Sequence, residues 1–253
     1  MQRPDSDGRK RRTGNGRRSG RKETDPRTTG PKGRSGLRSR FVVVGALTAV
    51  LLSGCGATDD WSGPHPAPTA VGVLGQGFTS TPPTPEATIT PRPGSWDAVH
   101  PAPGYRVVLL TAGDDPQTKT LVGAVKDWAE QEQVSLKVVT ADDPVRHTDS
   151  IVEAMNLAPD LIITAGSELV DAITVVTAGH LDRQFLVLGA EIAEPTANVT
   201  AANWPGATFR GAGLMTATGD DPGSFTPERA AAAVRAGVAS VLSGLTGIVI
   251  RLK

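Results

Sequence analysis

Residues 105–253 are predicted to form an α/β domain, a single parallel sheet with helices on both faces. Three observations predict it. Short apolar runs of strand length alternate with stretches whose apolar residues recur at helical spacing. The runs are rich in Val, Ile and Leu without alternation, as strands buried on both faces are. Their starts fall about 25–30 residues apart, the length of a strand–helix–strand unit.

The elements follow in order. "YRVVLLTAG" (105–113) reads as a buried strand ending in small residues. The helix over 114–133 has Asp115 as N-cap and Pro116 at its first position, with Leu121, Ala124, Val125 and Trp128 on one face. "SLKVVTA" (135–141) is the second strand. A helix within 142–158 places Ile151, Ala154 and Met155 together, and "PDLIITAG" (159–166) is the third strand. The helix over 167–181 takes Ser167 as cap and turns Leu169, Ile173 and Val176 inward. "RQFLVLGAE" (183–191) and "NVTAAN" (198–203) read as the fourth and fifth strands. A helix is expected over 207–218, with Phe209, Ala212 or Gly213, and Leu214 on one side. A loop leads to a strong helix over 226–244, opened by Thr226, Pro227 and Glu228. "GIVIRLK" (247–253) is the last strand. The arrangement is Rossmann-like.

Open sheets of this kind bind ligands beyond the carboxyl ends of their strands. The positions there are Thr111 to Asp115, Thr140 to Asp143, Ala165 to Ser167, Gly189 to Glu191, and Asn203 with Trp204. From these, Asp114, Asp115, Gly166, Ser167, Glu191, Asn203 and Trp204 are the candidate ligand-binding residues. The "TAG" turns at 111–113 and 164–166 let backbone N–H groups approach an anionic or hydrogen-bonding group. Neither a GxGxxG nor a P-loop lysine is present, which disfavours dinucleotides and nucleoside triphosphates.

Enzyme readings fare poorly. Asp142, Asp143, His147 and Asp149 gather at one sheet edge, but acidic residues at a helix start are ordinary. His65, His100 and His180 have no partners at ligand spacing, and Ser167 and Ser243 lack a nucleophile elbow. The expectation is a binding protein, with no catalytic residue, metal or cofactor.

The segments before residue 105 bear on location. Residues 1–40 hold 14 Lys plus Arg and 4 Asp plus Glu, against 26 of each in the whole chain, so the two signs are segregated. This basic stretch has no aromatic residue and ends at an apolar run, which argues against nucleic acid and for a positive-inside flank. The run from Phe41 to Leu52 is too short to span a bilayer, which takes about 20 residues, and fits the core of an export signal. Leu52-Ser53-Gly54-Cys55 resembles the bacterial lipobox. The resemblance implies diacylglycerol on Cys55, the chain's single cysteine, and cleavage before it. Residues 1–54 are then a basic region with a lipoprotein signal, and the mature protein sits on the extracytoplasmic face of the cell membrane. Residues 55–104, punctuated by proline, read as a disordered tether, with "AVGVLGQGF" (70–78) its one apolar patch.

Three stretches carry a family resemblance. "PDLIITAGSELVDAI" (159–173), "NVTAANWPGATFRGAGLMTA" (198–217) and "SVLSGLTGIVIRLK" (240–253) are similar to segments of the basic membrane protein family, lipoproteins of the type I periplasmic solute-binding fold. The resemblance covers the first lobe and the terminal helix and strand. It implies a nucleoside or similar small solute and an ABC permease as partner. Two departures stand out. "DDPQTKT" (114–120) lacks the family's base-stacking aromatic, and Glu191 is the nearest acid where an aspartate is usual. The roughly 25 residues after Thr226 are too few for a second lobe, which is therefore expected to be missing, and a homodimer would be one way to rebuild a cleft. The competing expectation is an envelope interaction or structural lipoprotein with no small-molecule ligand.

Overall fold

Val107, Val108, Leu109 and Leu110 are all fully buried, yet they serve two different cores. Successive strand residues point to opposite faces, so an unbroken apolar run needs cover on both sides. The computed structural model describes residues 61–63, 65, 69–210 and 221–253, with backbone only at 208–210, and shows that cover. The signal segment, Cys55 and the 211–218 part of one expected helix lie outside the described residues.

Fifteen elements are described: β1 (Ala70–Val71), β2 (Thr88–Ile89), β3 (His100–Pro101), β4 (Arg106–Thr111), α1 (Pro116–Gln131), β5 (Ser135–Thr140), α2 (His147–Asn156), β6 (Leu161–Ala165), α3 (Val170–Thr177), β7 (Phe185–Leu188), β8 (Ala190–Ile192), β9 (Val199–Asn203), β10 (Thr208–Arg210), α4 (Pro227–Leu242) and β11 (Val249–Arg251). Seven strands form one sheet in the order β2-β11-β9-β7-β6-β4-β5, and every pairing in it is parallel. The expected α/β class, a parallel sheet with helices on both faces, is what the structure has, with two small pairs, β1–β3 and β8–β10, outside that sheet.

Val107 and Leu109 pack with Leu121, Val125 and Trp128 of α1 and with Ala230, Ala233 and Val234 of α4. Val108 and Leu110 pack with Ile151 and Ala154 of α2 and with Ile173 and Val176 of α3. The helices start largely as their sequences dictate. Asp115 accepts from the Thr118 N–H at 2.9 Å at the head of α1. Thr226 accepts from the Arg229 N–H at 3.3 Å at the head of α4. Asp143 caps a short 3-10 turn before α2, accepting from the Val145 N–H at 3.0 Å.

Three expectations are corrected. First, residues 69–104 are not a tether. β2 lies against β11 as an edge strand of the main sheet, and β1 pairs with β3. Phe78, Trp96 and Val99 are buried in the α1–α4 core. Proline and glycine there shape turns while a few spaced apolar residues supply the anchors. Second, residues 208–210 are a strand, β10, parallel to β8, and not the start of a helix. Third, α3 begins at Val170 with no side-chain cap, so Ser167 stands before the helix and not at its head.

Candidate functional site

The sheet order reverses at β4, which sends one connection to β5 and is flanked by β6 on its other side. Such a crossover leaves a gap between diverging connections at the carboxyl ends of the strands. A cleft of about 180 Å³ lies there, lined by Asp115, Gln117, Thr118, Gly166, Ser167, Glu168, Gly189 and Phe225.

The backbone makes the gap. Gly166 ends β6 with φ +86°, and a Cβ there would stand 3.0 Å from Thr118 Oγ1. Gly189 ends β7 with φ +67°, and a Cβ there would come within 2.8 Å of the Phe225 ring and 2.9 Å of Leu121. Only glycine accepts both the left-handed turn and the close approach.

Thr118 Oγ1 donates to Asp115 Oδ2 at 2.7 Å, so the carboxylate at the head of α1 is held by both groups of Thr118. Burial alone would raise the Asp115 carboxyl. The Thr118 hydroxyl and the N–H groups of Thr118 and Gln117 outweigh that and hold it below the ordinary carboxylate range. A depressed folded value means stability that is present above the unfolded pKa and lost as pH falls through the folded one. Asp115→Ala is therefore expected to cost about 1 kcal/mol near neutral pH. Thermal melts should show the gap from wild type closing below about pH 4. An unchanged gap in acid would mean that the cap acts without its charge.

Of the expected ligand-binding residues, Asp115, Gly166 and Ser167 meet in this cleft. Asp114 does not line it; its carboxylate points to solvent, 3.6 Å from Lys119 Nζ. Glu191, Asn203 and Trp204 are buried away from it. Glu191 accepts from the Asn203 amide and from Arg251, the latter at 2.9 Å. These groups tie the ends of β8, β9 and β11 together. Trp204 donates to Ser224 Oγ at 3.0 Å and meets Phe225 edge-on, ring centroids 5.0 Å apart. Its indole is thus packed among the residues that connect to α4. Gln117, Thr118, Glu168 and Phe225 were not expected. Thr118 sits one turn inside a helix that the sequence marks clearly. Phe225 reaches the cleft from a loop more than thirty residues beyond Gly189, which no local pattern reveals.

The acidic cluster resolves into local structure. Asp143 is the cap described above, and Asp149 pairs with Arg146 at 3.3 Å. Among the described residues no group of three or more His, Cys, Asp or Glu side chains could hold a metal ion. No helix among them is long and apolar enough to cross a membrane.

No family model and no curated protein matches the sequence. Solved structures with similarity include an ABC transporter solute-binding protein from Aeropyrum pernix K1, at 16% identity and TM-score 0.37. That match covers 40% of this chain and 29% of that one, so the chain spans less than a third of the relative's length. A fragment of a candidate lipoprotein from Peptoclostridium difficile 630 is similar at 15% identity and TM-score 0.41, over 55% of this chain and 98% of that one. A periplasmic ribose ABC transporter protein from Conexibacter woesei DSM 14684 is similar at 18% identity and TM-score 0.30, over 60% of this chain and 55% of that one.

Proposed function

We propose that the chain is an exported, lipid-anchored solute-binding protein. Its cleft holds part of a small polar solute in the service of an ABC importer of nucleosides or similar compounds. The observation that carries this reading is the position and lining of the cleft. It opens at the crossover of the sheet and combines carboxylate, amide and hydroxyl groups with one aromatic face, Phe225. That ring stands in for the aromatic absent from 114–120. No basic residue lines the cleft, and its carboxylates are those of Asp115 and Glu168, so a neutral or cationic polar group suits it. The nucleoside class rests on the sequence resemblance alone.

The anchor rests on Cys55. A diacylglycerol supplies two chains, enough for stable attachment where one is marginal. Labelled fatty acid is expected on the wild-type protein and not on Cys55→Ala, and the wild type is expected in the envelope fraction. Equal labelling of both would rule the anchor out.

The size of the cleft sets the affinity. Pockets that enclose small ligands run to roughly 300–1,000 Å³ and cover most of the ligand. A cleft of about 180 Å³ covers only part of a nucleoside. Half of a gain of roughly 8–12 kcal/mol corresponds to a Kd of about 0.04–1 mM. Calorimetry with nucleosides and sugars, on protein shown to be monomeric, is expected to give values in that range. A Kd of about a micromolar or below would show that the open cleft suffices for tight binding.

The same small volume favours a second reading, an envelope interaction module that takes no small solute. A homodimer that closes the cleft would tighten binding with protein concentration, which separates the two readings.

A further inference from the structure

The residues that follow Cys55 are fastened to one end of the sheet. Trp61 Nε1 donates to Ser135 Oγ at 2.8 Å, at the first residue of β5. The Trp61 ring lies under Lys137 Nζ, 4.5 Å from the ring centroid, with the Arg106 guanidinium at 5.7 Å. Arg106, the first residue of β4, donates to the Trp61 carbonyl at 3.1 Å and to the Gly63 carbonyl at 3.5 Å. His65 Nε2 lies 2.6 Å from Asp160 Oδ2, and that same oxygen accepts from the Arg106 N–H at 2.8 Å. Asp160 immediately precedes β6. Every one of these partners stands at or near the amino-terminal ends of β4, β5 and β6. The cleft lies at the carboxyl ends of β4, β6 and β7, one strand length away, roughly 20 Å.

We propose that this clamp orients the domain on the membrane, so that the amino-terminal ends of the strands face the lipid surface and the cleft faces away from it. The inference rests on the anchoring of Cys55 proposed above. From Cys55 to Trp61 the chain reaches at most about 20 Å. A free tether running to residue 104 would leave the domain unoriented and several nanometres out. The clamped chain holds it close, by one end. Solute then enters from the side away from the bilayer, and presenting the cleft to a membrane permease requires the clamp to open.

The helix α1 provides a ruler. Its 16 residues, from the cleft end beside exposed Asp114 to the clamp end near exposed Glu130, rise by roughly 24 Å. The test uses the full chain, expressed and purified from membranes, carrying a clickable residue at 114 or at 130 coupled to a dye. After reconstitution in phosphatidylcholine vesicles, energy transfer to a headgroup acceptor is measured. The dye at 130 is expected to lie closer to the lipid than the dye at 114 by roughly 20 Å. Trp61→Ala combined with Asp160→Asn is expected to erase that difference while the protein stays on the vesicles. Equal distances in the unaltered clamp, or a closer dye at 114, would overturn the proposal. If Cys55 carries no acyl chain, the anchoring reading fails by itself. Coupling the same thiol to a maleimide lipid then gives the same pair of distances, so the clamp still stands or falls by its own measurement.

Discussion

Truncation to residues 105–253 is expected to unfold the domain. The cut removes β2, which completes the sheet beside β11, together with the buried anchors Phe78, Trp96 and Val99. It also removes two backbone ties to the last strand region, Glu86 N–H to the Gly247 carbonyl at 2.8 Å and Val249 N–H to the Ala87 carbonyl at 2.9 Å. Burying side chains of this size contributes about 1.5–3 kcal/mol each. Losing three of them and leaving their partners bare costs on the order of 5 kcal/mol or more, against a total of about 5–15 for a domain. A fragment starting at residue 69 should keep a cooperative melt, whereas one starting at 105 should show none or a much lower Tm. Equal melting of both would mean that the segment only decorates a self-sufficient core.

Substitution of Asn198 is expected to have the next largest effect. Its buried amide donates to three backbone carbonyls, those of Thr177 at 3.3 Å, His180 at 2.9 Å and Arg183 at 2.9 Å. Its Oδ1 accepts from Thr196 Oγ1 at 2.7 Å. One side chain therefore satisfies the turn that carries the chain from α3 to β7. Asn198→Asp keeps the shape but sets a carboxylate against three carbonyls. The Thr177 and His180 carbonyls also accept from backbone N–H groups, so the loss comes mainly from a buried carboxylate facing carbonyl oxygens and should be about 2–3 kcal/mol. The midpoint of urea unfolding should fall with little change in slope. The loss should shrink as pH drops and the carboxyl takes a proton, since the neutral acid can donate again. A loss under about 1 kcal/mol would mean that water serves those carbonyls.

β4, β6 and β7 were legible because a strand buried on both faces must read as an unbroken apolar run, and "VVLL", "LIIT" and "FLVL" do. The heads of α1 and α4 were legible because Asp115–Pro116 and Thr226–Pro227 state a cap and a first turn locally. β2 was not, since a two-residue edge strand amid proline has no periodicity, and its partner β11 lies at the far end of the chain. β10 was missed because apolar spacing in "ATFRGAGLMTAT" fits a helix, while pairing with β8 decides its first residues. Within the site, Asp115, Gly166 and Ser167 followed from strand ends alone. Trp204 follows a strand, but a residue there can turn toward solvent or core, and its packing against Ser224 and Phe225, distant in sequence, was not legible.

The most direct test of the cleft as a solute site is a titration of the isotope-labelled monomer with nucleosides and sugars, followed by amide NMR shifts. Saturable shifts at millimolar solute, clustered on Thr118, Gly166, Ser167 and Gly189 and abolished by Gly166→Val, are the expected result. Shifts that are absent across the panel, or that cluster elsewhere, for instance in the groove between α1 and α4 lined by Thr120, Trp128 and Ala231, would contradict it.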